Sequence, residues 1–263
     1  MTDFRADARF QGAEGEDLLR LASADNFRDV AGTGYATVDG ARMRRGVFYR
    51  SNELQLSDED HSTLTGLGLT AVLDLRTQGE IDRHPDAEIP GAEWHHFDVI
   101  GIPMEEVASL QSREAAIDVM HRVYTGFVEV ESSRTAYGEL FRQLARGGPQ
   151  LFHCTAGKDR TGWAAALLQH IAGVDDATIE SDYLLTNAFA GASRAAVENA
   201  IREHLGEDGV RVLEPTLVVD TGYLRSAYAA VEKLYGDRET YLREGLGLDD
   251  RTISGLRELL RET

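Results

Sequence analysis

The stretch HCTAGKDRTG, residues 153 to 162, collects the rarest side chains of the chain. Cys154 is the only cysteine, and Lys158 is one of two lysines among 27 basic residues. Five residues separate Cys154 from Arg160, and Thr161 and Gly162 follow directly. Gly157 lets the backbone curl tightly, so that the amides of Thr155, Ala156, Gly157 and Lys158 can converge on one anion. A helix starting at Arg160 would add its positive end to the same spot. Arg160 brings a planar two-pronged donor that suits phosphate, and Lys158 adds a point charge. A thiol at the base of such a cradle is favoured as thiolate, its nucleophilic form. With phosphate oxygens in the cradle and the sulfur in line with the leaving group, the arrangement suits phosphoryl transfer to Cys154 and then hydrolysis. Thr161 is placed to donate its hydroxyl to the sulfur, and His153 to orient the loop from behind.

The leaving oxygen needs a proton, and therefore a carboxyl close by. Asp159 lies inside the loop. Asp74 ends an apolar strand whose tip could face the cradle, and Asp98 follows another strand end. Asp159 and Asp74 are expected to share the acid/base and positioning work, with Asp98 read as a strand-end turn residue. Arg76 either reaches the site beside Asp74 or pairs with Glu80 on the surface.

These residues need a scaffold. PQLFHC reads as a short strand and RTGWAAALLQHIAG as a helix ending at Gly173. TAVLDLR, residues 70 to 76, is a nearly continuous apolar run of the kind found in buried parallel strands. GVFYRS forms a strand from Val47 to Arg50, and EWHHFDV, 93 to 99, another. YATVDGARM turns at Asp39-Gly40. Ser57 caps a helix with an acidic first turn that stops at Gly66 and Gly68. Residues 104 to 128 and 131 to 146 are helical by periodicity, and Gly147-Gly148-Pro149 ends the second. Helical patterns then cover 176 to 189, 191 to 205, 215 to 235 and 249 to 262, whereas residues 1 to 24 are polar and read as a loose arm or a short helix. Strands alternating with helices predict an α/β fold, with a mainly parallel central sheet flanked by helices and a helical C-terminal lid or extension from about residue 176. No linker divides the chain, so 1 to 263 is read as one domain.

Bulk properties narrow the function. The chain has 263 residues, 42% hydrophobic and 27% charged, enough for a sizeable core. A net charge of −18 repels nucleic acid and anionic membrane surfaces, so any anion must meet a locally concentrated cationic site. A lone cysteine excludes an internal disulfide and a resolving thiol. No apolar run approaches a membrane span, and MTDFRADARF lacks the apolar stretch of a secretory signal. A cytoplasmic location is the expectation, with leaderless export as the alternative. Oligomeric state is not legible.

Cys-x5-Arg with a preceding His and a following Thr-Gly resembles the signature of the cysteine-dependent tyrosine and dual-specificity phosphatases. HCTAGKDRTG, together with DNFRDVAG (25 to 32), RRGVFYRSNELQLSDED (44 to 60), LGLTAVLDLRTQGE (67 to 80) and SDYLLTN (181 to 187), is similar to a bacterial branch of that family. The resemblance spans roughly residues 20 to 190. It implies a phosphatase fold and hydrolysis of phosphomonoesters without metal or cofactor. The implied substrates are phosphotyrosine, phosphoserine or phosphothreonine in proteins, or phosphoinositides. It also implies that Asn26 and Arg28 brace the phosphate loop. The Trp-Pro-Asp acid loop common in the family has no counterpart here. Related arsenate reductases need further cysteines, and sulfur transferases usually lack the Arg-Thr-Gly ending. A non-catalytic phospho-ligand binder would normally have lost the cysteine or the arginine.

Overall fold

The computed structural model describes residues 18–102 and 104–262, so most of the expected polar arm lies outside the described residues. In chain order it contains β1 (Arg28–Asp29), β2 (Phe48–Ser51), α1 (Asp58–Gly66), β3 (Ala71–Asp74), α2 (Gln78–Arg83), β4 (Glu93–His96), α3 (Met104–Ser109), α4 (Arg113–Glu129), α5 (Glu131–Leu144), β5 (Gln150–His153), α6 (Arg160–Ala172), α7 (Asp176–Phe189), α8 (Gly191–Leu217), α9 (Thr221–Tyr235), α10 (Arg238–Thr240) and α11 (Asp250–Leu260). A π-helical turn, Tyr241–Gly245, follows α10.

The strands form one five-stranded sheet in the order β1-β2-β5-β3-β4. β1 is antiparallel to β2, and the other neighbours run parallel. Parallel strands need both faces covered, and side chains alternate between faces. Phe48, Leu73 and Phe152 enter the larger core, which runs from Val30 to Leu260 and includes α6 and most C-terminal helices. Tyr49, Val72 and Leu151 enter a smaller core with Phe27, Leu64 and Ile89. β5 is central, so the loop that leaves it stands at the carboxyl end of the sheet between β2 and β3. Ligand sites in open α/β sheets gather there.

Several expected elements differ in their bounds. The helix expected over 104 to 128 is divided, because Ser112 accepts a hydrogen bond from Ala115 N and starts α4 afresh. The strand expected over 93 to 99 ends at His96 and lies on the sheet edge, with Trp94 half exposed. The helix expected over 191 to 205 continues to Leu217 after a break at Gly206, whose φ of 70° interrupts the helical path. Asp220 caps α9, so the helix expected from 215 begins at Thr221. Around Asp39-Gly40 the turn forms with isolated pairing only. Among the described residues, no helix is long and apolar enough to cross a membrane.

Candidate active site

Between β5 and α6 the chain folds back over the end of the sheet. Gly157 takes φ +63°, and a Cβ there would sit 2.4 Å from Ser51 O. Glycine alone combines that dihedral with that approach. The carbonyls of residues 154 to 157 are held from outside the curl. His153 Nδ1–H donates to Cys154 O at 3.2 Å, and Glu53 N–H donates to Thr155 O at 3.0 Å. Asn26 Nδ2 donates to Ala156 O and to Gly157 O, each at 2.9 Å. Arg50 Nη2 adds a second donor to Gly157 O at 2.9 Å. No peptide bond among the described residues is cis. In a trans peptide the N–H points opposite to the C=O, so pinning these carbonyls outward turns the amides of Thr155, Ala156, Gly157 and Lys158 inward. None of those amides donates to another group among the described residues. The result is a concave ring of donors with Cys154 at its start and the N-terminus of α6 at its end.

Arg160 is buried beside this ring, although it opens a helix where a cation is electrostatically awkward. Its Nη1 and Nη2 donate to Glu80 Oε2 and Oε1, each at 2.7 Å. Glu80 is fixed in turn by Thr155 Oγ1 at 2.6 Å and by the N–H and hydroxyl of Thr77, both at 2.9 Å. Burial opposes the ionised form of Glu80, but Arg160 outweighs it and holds the carboxyl well below its usual range. Leu75 O and Val99 O also face Arg160 Nη1, at 3.4 and 3.3 Å. The guanidinium is thus clamped along its outer edge.

Asp159 sits at the rim. Lys158 Nζ lies 2.9 and 2.7 Å from its two carboxylate oxygens, and Tyr124 OH donates to Oδ1 at 2.8 Å. Tyr124 is fully buried, and its oxygen lies 2.6 Å from Tyr183 OH. Burial and the adjacent Asp159 push the Tyr124 hydroxyl well above its ordinary value, so it remains a donor. Lys158 is itself buried and engaged by Asp159. Thr161 is fully buried, and its hydroxyl has no hydrogen-bond partner among the described residues.

Asp74 and Arg76 do not join the site. Leu73 and Leu75 point into the larger core, so Asp74 and Arg76 emerge on the opposite face of the sheet. There Arg76 Nη2 lies 2.8 Å from Asp74 Oδ2 and 2.6 Å from Asp86 Oδ2. Arg76 Nη1 meets Glu53 Oε2 at 3.2 Å, not Glu80. Asp74 is fully buried and cannot meet a leaving group. His153 pairs in register with Asp74 and shares this face, with Nε2 3.1 Å from Asp86 Oδ2. Asp74, Asp86 and His153 place ligand-type atoms within 4.8 Å of one another, but Arg76 fills that cluster. Asp98 is exposed and precedes Val99, whose carbonyl faces Arg160. Asn26 and Arg28 do meet behind the loop, where Arg28 Nη1 donates to Asn26 Oδ1 at 2.5 Å.

Sequence reasoning missed Glu80, Tyr124 and Arg50. Thr77 and Glu80 have the spacing of a capping box, which is a visible signal for Glu80. Arg50, inside the apolar run VFYRS, is a buried-charge signal of the same kind. Tyr124 lies mid-helix and carries no local mark.

A family model described as "Tyrosine phosphatase family" matches residues 19–262. The "Triple specificity protein phosphatase PtpB" of Mycobacterium tuberculosis is 30% identical over 92% of this chain and 99% of its own. A relative from Cupriavidus necator is 32% identical over 92% of this chain and 89% of its own. The "Tyrosine-protein phosphatase" of Nostoc commune is 28% identical over 90% and 86%.

Proposed function

This chain belongs to the tyrosine phosphatase family, and we propose that it hydrolyses phosphomonoesters at the 154–160 loop, with Cys154 as nucleophile, Arg160 as clamp and Asp159 as proton carrier. It is a phosphoric monoester hydrolase, and phosphotyrosine in proteins is the substrate class the site suits first. The inward ring of amides between Cys154 and Arg160 carries the reading.

The ester's nonbridging oxygens accept from the loop amides and from Arg160. The Cys154 sulfur anion attacks phosphorus, the ester P–O bond breaks, and Asp159 gives its proton to the leaving oxygen. Water then attacks the phosphocysteine, Asp159 takes the water's proton, and the P–S bond breaks to restore the sulfur anion. The equatorial charge of each transition state is met by donors already in place, so little reorganisation is needed. Thr161, with its uncommitted buried hydroxyl, would stabilise the departing sulfur.

A further phosphate, as on a phosphoinositide, would need a loop cation besides Arg160, and Lys158 is that cation. It is held on Asp159, which supports a protein substrate over a lipid. Hydrolysis of p-nitrophenyl phosphate by Cys154→Ser tests the assignment. Turnover should vanish while binding of inorganic phosphate survives. Turnover that persists overturns the nucleophile.

A further inference from the structure

A cationic cluster lies sealed behind the phosphate loop. Arg28, Arg50 and Asp182 are all buried. Asp182 Oδ2 lies 3.2 Å from Arg50 Nη1, and its Oδ1 lies 3.5 Å from Arg28 Nε and 2.9 Å from Tyr35 OH. Among the described residues the remaining hydrogen bonds of Arg28 go to neutral groups: Asn26 O and Oδ1, Asp182 O and Thr186 Oγ1. Two guanidinium groups therefore share one carboxylate. A buried charge without a partner is costly, so such a surplus calls for another anion nearby.

Arg50 points that surplus at the loop. Its Nη2 donates to Gly157 O, and a Cβ on Gly162 in the first turn of α6 would lie 3.6 Å from the same nitrogen. Its Nε–H is buried with no acceptor among the described residues. Burial, then the neighbouring Arg28, lowers Arg50 to about 10, and the charge of Cys154 acts in the opposite direction. Arg50 also pairs in register with Phe152, two residues before Cys154. Phe48, Phe152 and Cys154 all enter the larger core, so alternation along β2 and β5 puts the Arg50 side chain on the same face of the sheet as Cys154, behind the loop.

We propose that Arg50 is a positioning residue that holds Cys154 as its thiolate from behind the phosphate loop, and that Asp182 limits this effect by neutralising part of the Arg28–Arg50 charge. The proposal rests on the phosphatase reading of the site and adds a residue to it. Arg160 and Lys158 supply the cations on the ligand side, where Glu80 and Asp159 already engage them. Arg50 acts from the opposite side, where no substrate competes for it. Further out, Asp29 is pushed up to about 6 by burial, and Arg20 stands near Arg28 with Asp25 beside it.

Cys154 is the only cysteine, so alkylation by uncharged iodoacetamide reports on it alone. The pH midpoint of alkylation should rise by about one unit in Arg50→Met, because an opposite charge close to an anion is worth about that much or more. It should stay near the wild-type midpoint in Arg50→Lys and fall in Asp182→Asn. Ultraviolet absorbance of the thiolate follows the same midpoint without reagent entry. Opposite shifts in the two neutralised variants are not produced by loosened packing, which would move both the same way. If Arg50→Met does not fold, the fall in Asp182→Asn and the constancy in Arg50→Lys decide. Equal midpoints throughout, or shifts of one sign, overturn the role of Arg50. Turnover in Cys154→Ser overturns the reading of the site instead and leaves the alkylation shifts untouched.

Discussion

Glu80 and Arg160 form a two-pronged pair, each carboxylate oxygen 2.7 Å from its own guanidinium nitrogen. The pair uses the Nη1–Nη2 edge of the fork. That orientation leaves the Nε side for an oxyanion, provided the guanidinium does not rotate. Removing the charge of Glu80 should free Arg160 without touching the nucleophile. In Glu80→Gln, kcat/KM for p-nitrophenyl phosphate should fall about 10- to 100-fold, the scale expected when a catalytic group is displaced by about an ångström. Steady-state kinetics on a variant with wild-type thermal stability checks it. An unchanged kcat/KM would leave the pair a structural contact with no part in turnover.

The curl at Gly157 gives a steric prediction. Alanine there must hold φ near +63° with its Cβ 2.4 Å from Ser51 O. The backbone has to shift, and the Ala156 and Gly157 carbonyls lose their registration with Asn26 and Arg50. The amides that oppose those carbonyls then leave the ring. Gly157→Ala should lose turnover by about 100-fold or more, as when oxyanion donors are removed. Binding of inorganic phosphate, followed by calorimetry, should weaken in parallel.

The pair behind the loop sets a pH window for stability. Burial pushes His153 down, but Asp86 outweighs it and raises His153 above its ordinary 6.5. Burial pushes Asp86 up, but His153 and Arg76 outweigh it and hold Asp86 at about 2. A raised histidine contributes fully below 6.5 and loses that contribution as pH rises through its folded value. A depressed aspartate contributes above about 4 and loses it as pH falls toward 2. The melting temperature should therefore peak between about pH 4 and 6.5 and decline on the alkaline side. His153→Gln should flatten that alkaline decline. Melting curves across pH read both effects, and a wild-type profile flat above pH 6.5 would refute the charged pair.

Local patterns carried much of this fold. The loop, the strand before it and α6 were legible, because glycine spacing, an apolar run and a helix ending at Gly173 all act within a few residues. Ser57 as a cap was legible for the same reason. Asp74 was misplaced because its role depends on parity. Counting from Leu73 puts it on the far face, but only the order β5-β3 shows that the cradle curls over the near one. Glu80 shows the converse. Its capping-box spacing is local, yet its grip on Arg160 depends on β3 lying next to β5. Tyr124 reaches Asp159 across 35 positions, from a helix whose face is chosen by packing against α9. No window on the sequence contains that contact.

The proton carrier is the assignment with the sharpest kinetic signature. Asp159 stands on the loop, with Tyr124 donating to one oxygen and Lys158 reaching both. Asp98 is exposed on the segment that borders Arg160. A general acid matters most when the leaving group is poor, because a good one departs without a proton. Asp159→Asn should slow a phenyl or alkyl phosphate about 100-fold or more, while p-nitrophenyl phosphate suffers less. Tyr124→Phe removes one donor from the same carboxyl and leaves the loop amides alone. It should shift the alkaline limb of the kcat profile, where the general acid loses its proton, and cost several-fold in kcat, with KM little changed. Asp98→Asn should alter neither the leaving-group dependence nor the alkaline limb. Rates for a series of aryl phosphates of graded leaving-group acidity separate the two carboxyls. A steep dependence appearing in Asp98→Asn and absent in Asp159→Asn would move the proton to the β4–α3 segment and leave Asp159 as the anchor for Lys158.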